Sequence, residues 1–146
     1  MLLVRCADEA YAFPASYVTQ IVSARSVKGV PGTPAYIRGL ANLRGQLVPV
    51  VLLAEQLGLA HPEQGDKASL VVVQHEDLCV GLQVCRDCEV FDLAEDAAIE
   101  KLGSLSDSSA GFVLGVTVVR DEPLTLIHIP SYLARIEEDL LEGASL

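Results

Sequence analysis

The sequence predicts a mainly β fold built from two similar small β-barrels, with short helices and one longer helix near the end of the chain. Three observations predict it: short β-branched apolar segments separated by Gly and Pro, an internal repeat, and one amphipathic segment after the last strand. The 146 residues are enough for one domain with a real core.

Seven segments have the composition of β-strands. They are Leu2–Val4, Tyr17–Val22, Gln46–Leu53, Leu70–Val73, Cys79–Val84, Val113–Val119 and Pro123–Ile129. The third of these is apolar on both faces and contains Pro49, which cannot donate a hydrogen bond to a neighbouring strand. We therefore expect Pro49 at a sheet edge or at a bulge.

The clearest helix is Ser131–Glu142, which has a continuous apolar stripe and is expected to end at Gly143. Shorter helical turns are expected at Thr33–Gly39, where Thr and Pro form a helix start, at Ala54–Leu57, and after Asp92.

A weak internal repeat appears when the chain is aligned with itself so that Thr33 falls on Ser109. The same alignment superposes the whole of Thr33–Gly39 on Ser109–Gly115, Arg44 on Arg120, and Val50–Leu53 on Leu126–Ile129. Each half then follows one plan of capped turn, glycine, strand, tight connection, strand and helix. We expect a single domain over residues 1–146, with subdomains at roughly 1–62 and 67–146.

The charge balance restricts the partners. Twenty acidic residues against ten basic ones give a net charge of −10, which disfavours nucleic acid as a partner. The chain has no signal-peptide pattern and no apolar stretch long enough to span a bilayer, so we expect a cytoplasmic protein with no direct membrane insertion.

The segment Gly39–Val50 closely resembles the signature G-x-x-N-L-R-G-x-hydrophobic-x-P-hydrophobic of CheW-like domains. Tyr11–Phe13 and Val18–Ile21 upstream, and Val80–Val84 and Phe112–Ile129 downstream, are similar to further family segments. The resemblance covers essentially the whole chain.

This resemblance implies a fold of two SH3-like β-barrels and a non-catalytic role without a cofactor or metal. Members of the family are adaptors that couple methyl-accepting chemoreceptors to a CheA-type histidine kinase in bacterial chemosensory arrays at the inner membrane. They bind the regulatory domain of the kinase through barrel-to-barrel contacts, and the cytoplasmic tip of the receptor through an apolar groove between the subdomains.

The matching positions are the predicted partner-binding residues. They are Val18, Gln20, Ile21, Gly39, Asn42, Leu43, Arg44, Gly45, Val48 and Pro49. The alternative for the central four, residues 42–45, is that they form only a tight turn between core strands. In the family, the arginine that Arg44 matches pairs with an acid at the position of Gln20.

The chain lacks acids that the family has at four positions. They are Gln20, Leu52, Cys85 and His128. An Asp at a strand-to-helix junction is a natural N-cap, so Leu52 and His128 are expected to cost some stability. The departures indicate a divergent pathway, such as a pilus, gliding or surface-sensing system.

Two other functions remain alternatives. Cys85 and Cys88 have the CxxC spacing of a zinc or thiol site, but only Cys6, Cys79 and His75 could complete a zinc site. A small barrel could instead bind oligonucleotides or oligosaccharides, although 5% aromatic residues and no Trp argue against stacking. No catalytic triad, nucleophile elbow or P-loop is present, so no enzymatic activity is expected.

Overall fold

The structure of the chain is a computed structural model that describes residues 1–6, 9–23, 27–29, 36–53, 68–85, 88–91 and 112–144, without the side chains of Cys6, Cys85 and 142–144. Its strands are β1 (Leu2–Cys6), β2 (Glu9–Phe13), β3 (Val18–Ser23), β4 (Val27–Lys28), β5 (Ile37–Leu43), β6 (Gln46–Leu52), β7 (Ala68–His75), β8 (Leu78–Cys85), β9 (Glu89–Val90), β10 (Val113–Val119) and β11 (Glu122–Ile127). A 3-10 turn (Ala15–Tyr17) precedes β3, and helix α1 (Ile129–Ala144) follows β11.

The strands form two sheets, which confirms the predicted mainly β fold. The order of the five-stranded sheet is β10-β11-β2-β1-β9, and that of the six-stranded sheet is β3-β7-β8-β6-β5-β4. Neighbouring strands are antiparallel except for the pairs β11–β2 and β6–β8. Both orders are linear among the described strands, so the units are rolled sheets with free edges rather than fully hydrogen-bonded barrels.

Each half of the chain begins with a hairpin, β1–β2 or β7–β8, that pairs with strands of the other half; we call these the leading hairpins. The β1–β2 hairpin near the amino terminus pairs with β11 and β9, while the β7–β8 hairpin pairs with β3 and β6. Each sheet therefore contains strands from both sides of residues 62–67, a segment outside the described residues. The two sheets thus do not coincide with the two sequence halves on either side of this segment. The predicted subdomain limits, roughly 1–62 and 67–146, stay a prediction.

The predicted repeat is visible in the strand register. In β5–β6, Ile37 pairs with Val51 and, after a bulge, Gly39 with Val50. In β10–β11, the positions that the repeat predicts as counterparts pair in the same way, Val113 with Ile127 and, after a bulge, Gly115 with Leu126. The two hairpins are therefore copies of one unit.

A second repeat relates the leading hairpins. Cys6 pairs with Glu9 in the first hairpin as His75 pairs with Leu78 in the second, so both strands correspond when Cys6 is aligned with His75. The edge strands follow the same spacing, because Leu2 of β1 pairs with Val90 of β9 as Val71 of β7 pairs with Ile21 of β3. Each sheet thus has the same five strands in the same register, and β4 is an addition to one of them.

The main core lies between the two sheets and α1. Alternate residues of β1, β2, β7 and β8 enter it from the sheets, as expected for strands with one face inward. The helix contributes four fully buried side chains. They are Ile129, Tyr132, Leu133 and Ile136. The opposite face of each sheet covers a smaller cluster, one around Leu124 and one around Leu70.

The helix prediction is confirmed, with the difference that α1 continues through Gly143 to Ala144. The expected capped turn at Thr33–Gly39 is wrong in its second half, because Ile37 already begins β5. Extended pairing with Val51 buries Ile37, which outweighs the local turn signal. Residues 30–35, 54–67 and 92–111, where the other short turns and the linker were expected, lie outside the described residues.

Pro49 lies where one side of β6 is unpaired, which agrees with its predicted edge position. Strand β6 lies between β5 and β8, but its pairing with β8 begins at Val50, one residue after the proline. At Pro49 the strand therefore has a partner on one side only, which leaves room for a residue without an N–H group.

Candidate functional site

The segment Asn42–Gly45 forms the tip of the β5–β6 hairpin. Leu43 pairs with Gln46, and the two residues between them have positive φ, 54° at Arg44 and 85° at Gly45. This is the pattern of a type I′ turn. The Asn42 side chain closes the turn, because its Oδ1 accepts a hydrogen bond from the Gly45 backbone N–H at 2.9 Å.

The tip combines a turn with an exposed surface. Asn42 and Gly45 hold the turn, while the Arg44 side chain is exposed and has no hydrogen bond or ion pair with any described residue. Leu47, on the same hairpin, is 64% exposed. Sequence reasoning missed Leu47 because its place in an apolar strand suggested burial. An exposed cation and an exposed large apolar side chain on one hairpin are typical of binding surfaces.

Two of the predicted contact residues are structural. Val48 is 1% exposed. A Cβ atom at Gly39 would lie 1.9 Å from the backbone oxygen of Lys28, so this position admits only glycine. Pro49 and Leu43 are half-buried.

The three predicted residues on β3 separate into two faces. Val18 packs against the main core, whereas Gln20, after a bulge, pairs with Val72 and is half-buried on the opposite side of the strand. Ile21 pairs with Val71 on the side of Val18, but at this sheet edge its side chain is 47% exposed. In the hydrogen-bonding order, β7, β8 and β6 lie between β3 and β5. The predicted site residues therefore form a hairpin group and an edge-strand group on one sheet.

The five-stranded sheet carries a charge network that sequence reasoning missed. Arg5 of β1 donates a hydrogen bond to Glu122 of β11 at 2.9 Å, and Arg120 of the β10–β11 turn forms an ion pair with Glu89 of β9. Strands β9 and β10 are the two free edges of this sheet. The contact between Arg120 and Glu89 therefore shows that the sheet is rolled so that its edges approach, with side chains bridging the gap.

The network sits at the mouth of a recess of about 130 Å³ lined also by Leu3, Val119 and Leu124. The hydrogen bond from Arg5 is the main reason that the pKa of Glu122 lies below its ordinary value; burial opposes it, and the charges of Arg5 and Arg120 lower the pKa further. Glu122 is thus held in its ionised form by arginines of the same chain.

His128 caps the start of α1. The family has an acid at this position, and its absence here was expected to weaken the cap. The Ser131 backbone N–H donates to Nδ1 of His128 at 3.3 Å, and Ser131 Oγ lies 2.7 Å from the same nitrogen. Because α1 begins at Ile129, this is the N-cap geometry. The expected cost at His128 is therefore offset. Leu52 is buried at the end of β6, and the segment beyond Leu53 is outside the described residues.

His128→Ala is expected to lower the free energy of unfolding by about 1 kcal/mol, because it removes the acceptor for a helix N–H group. His128→Asp, which restores a carboxylate cap, should be at least as stable as the wild type. Urea denaturation at neutral pH measures both. Equal stability of the Ala variant and the wild type would contradict the capping role.

The cysteines give no support for a metal site. Within the described part of the chain, no three His, Cys, Asp or Glu side chains lie close enough to hold an ion. Cys79 and Cys88 are half-buried, and burial raises the pKa of the Cys79 thiol above its usual value. The side chains of Cys6 and Cys85 are outside the described part of the structure. No helix among the described residues is long and apolar enough to cross a membrane.

Comparisons with known proteins agree on one family. The profile of the CheW-like domain matches residues 1–137. A chemotaxis protein CheW from Helicobacter pylori is 28% identical over 128 residues, which cover 88% of this chain and 77% of that protein. Protein PilI from Pseudomonas aeruginosa is 30% identical over 125 residues, covering 84% of this chain and 67% of PilI.

Among solved structures, the scaffolding protein TtCheW from Thermoanaerobacter tengcongensis superposes with a TM-score of 0.75 at 26% sequence identity, covering 86% of each chain. The profile match, the relatives and the shared fold lead to the same conclusion: the chain belongs to the CheW-like family.

Proposed function

We propose that this chain is a non-catalytic adaptor that couples methyl-accepting chemoreceptors to a CheA-type histidine kinase in the cytoplasm. Membership of the CheW-like family over almost the whole chain is the observation that carries the proposal. The pathway we propose is a divergent one, such as a pilus, gliding or surface-sensing system. The missing acids at Gln20, Leu52, Cys85 and His128 support this part of the proposal, and similarity to a protein named PilI is in keeping with it.

The six-stranded sheet offers the surface for this role. Arg44 and Leu47 are exposed at one hairpin, and Ile21 is exposed on the edge strand β3. Large apolar side chains in contact with water favour burial against a partner, because removing about 100 Å² of apolar surface from water gains roughly 2.5 kcal/mol. We propose these exposed positions, rather than the buried Val48 or Gly39, as the contact residues.

The test is binding to the regulatory domain of a CheA-type kinase and to a receptor cytoplasmic fragment, both encoded in the same genome as this chain. Titration calorimetry should detect binding to each. Addition of the chain to kinase and receptor-containing vesicles should also change the rate of kinase autophosphorylation. A wild-type chain that binds neither fragment would overturn the proposed function.

Ile21→Glu is expected to weaken binding to at least one of these fragments tenfold or more, because it places a charge in an apolar contact. The position is exposed, so the free energy of unfolding should change by less than about 0.5 kcal/mol. Val18 is unsuitable for this test because it packs against the core. Leu141→Glu, which changes an exposed leucine on α1, is the matched control and should bind as the wild type does. Equal affinities of the two variants would exclude β3 from the contact.

A further inference from the structure

We infer that the end of the six-stranded sheet around Arg44 docks a carboxylate side chain of the protein partner, with the Arg44 guanidinium as its anchor. The inference deepens the proposed adaptor function and rests on it, because it names the chemistry by which this surface recognises a partner.

The two sheets are equivalent strand by strand, so each member of the charge network has a counterpart in the six-stranded sheet. The repeat that aligns β10–β11 with β5–β6 and the one that aligns β1–β2 and β9 with β7–β8 and β3 assign these counterparts. Glu89 corresponds to Gln20, Arg120 to Arg44, Glu122 to Gln46 and Arg5 to Gln74. Only the arginine of the turn is retained. The other three charged residues are glutamines in the six-stranded sheet.

The two ends therefore differ in charge although their backbones correspond. In the five-stranded sheet, two arginines and two glutamates neutralise one another. In the six-stranded sheet, the guanidinium of Arg44 has neither an ion-pair nor a hydrogen-bond partner among the described residues. The hairpin tip thus presents a positive charge that no described residue compensates, in a chain whose net charge is −10.

Arg44 and Gln20 occupy the same backbone positions as Arg120 and Glu89, which form an arginine–carboxylate pair in the other sheet. Arg44 and Arg120 occupy the same turn position, with φ values of 54° and 51°. Gln20 pairs with Val72 as Glu89 pairs with Leu3, so Gln20 occupies the place from which Glu89 reaches Arg120. A carboxylate from outside can accept hydrogen bonds from Arg44 and from a glutamine amide. A charge-assisted bond of this kind is about twice as strong as a neutral one.

A second exposed side chain of the β5–β6 hairpin specifies the occupant further. Leu47 is 64% exposed on the same hairpin, whereas its counterpart at the other end is Pro123. A matching partner carries an Asp or Glu for Arg44 and a separate apolar residue that covers Leu47, which lies on the other face of β6 from Gln46. The end of the five-stranded sheet offers the same partner no unpaired arginine, because the two arginines of the charge network are already paired with its two glutamates. Of the two equivalent sheet ends, only the one with Arg44 can therefore bind this carboxylate, so the partner docks at one end of the adaptor.

The experiment restores the missing acid. Gln20→Glu places a carboxylate of the chain itself beside Arg44, as Glu89 stands beside Arg120, and this internal carboxylate competes with that of the partner. We expect Gln20→Glu to weaken binding of the kinase regulatory domain or of the receptor fragment at least tenfold. The dependence of that affinity on salt concentration should also become weaker, because an intermolecular ion pair has been lost. The midpoint of thermal unfolding should equal or exceed that of the wild type.

Two further variants make the result specific. Arg44→Gln removes the anchor without adding an acid and should weaken the same interaction with the same loss of salt dependence. Glu89→Gln opens the ion pair at the other end of the molecule and should leave both affinities unchanged. Wild-type affinity and salt dependence in Gln20→Glu would overturn the inference and leave the adaptor function intact. An equal loss in Glu89→Gln would also overturn it, since docking would not distinguish the two ends.

Discussion

Gly39→Ala should destabilise the chain by about 3 kcal/mol, the upper part of the range for strained or overpacked positions. A Cβ atom at this position would lie 1.9 Å from the oxygen and 2.5 Å from the carbonyl carbon of Lys28, and 2.9 Å from the Cα atom of Gly29. All three are backbone atoms, so no side-chain rotation relieves the collision. Strand β4 pairs with β5 at this point and would have to move away.

Gly45→Ala is the matched control for Gly39→Ala. Gly45 has a φ of +85° with no atom within 4 Å of an added Cβ, so its replacement meets conformational strain but no collision. Left-handed backbone costs about 1–2 kcal/mol for a residue with a Cβ atom. Chemical denaturation of both variants separates the two effects. A loss at Gly45 as large as that at Gly39 would show that backbone conformation, rather than close approach, requires the glycine at both positions.

Phe112→Ala should lower the free energy of unfolding by about 3–5 kcal/mol, as expected for truncation of a buried phenylalanine. Its ring is 1% exposed and packs edge-to-face on Tyr132, with centroids 4.8 Å apart and planes at 82°. This pair joins the start of β10 to α1. The substitution leaves a cavity and removes an aromatic contact.

The measurement for Phe112→Ala is the midpoint of urea unfolding, with Val118→Ala as the control. Val118 lies on the same strand but is 65% exposed, so its truncation should change stability by less than about 0.5 kcal/mol. A small effect of Phe112→Ala would mean that α1 is not held to the sheets through this ring.

Local signals predicted most of the strands. Val113–Val119 is a strand with the predicted bounds, and α1 contains the whole predicted helix, because β-branched runs and a helical apolar stripe act over a few residues. The repeat that aligns β5–β6 with β10–β11 was readable because both copies share a glycine preceded by an aromatic-aliphatic pair, and Arg44 matches Arg120. The repeat that relates the leading hairpins could not be recognised in the sequence. Its segments Tyr11–Phe13 and Val80–Leu82 have no identical residue and share only their apolar character.

The candidate site was also predicted only where it depends on local sequence. The turn at residues 42–45 follows from local sequence, and the structure places it at an exposed hairpin tip. The pairing of the leading hairpins and the charge network depend on contacts between distant residues, such as Arg5 and Glu122, which are 117 positions apart. Such contacts leave no pattern within a short window. His128 as a cap was missed because the imidazole ring is not among the usual N-cap side chains.

The leading hairpins also dictate the order of events on the ribosome. The β1–β2 hairpin is synthesised long before its partner β11, since Ala10 pairs with Leu124 much later in the chain. At a synthesis rate of about 5–20 residues per second, the hairpin waits on the order of ten seconds. During that time its outer edge offers unpaired backbone groups to any other nascent chain. We therefore expect the yield of folded chain to fall at high expression levels and to rise when chaperones are co-expressed.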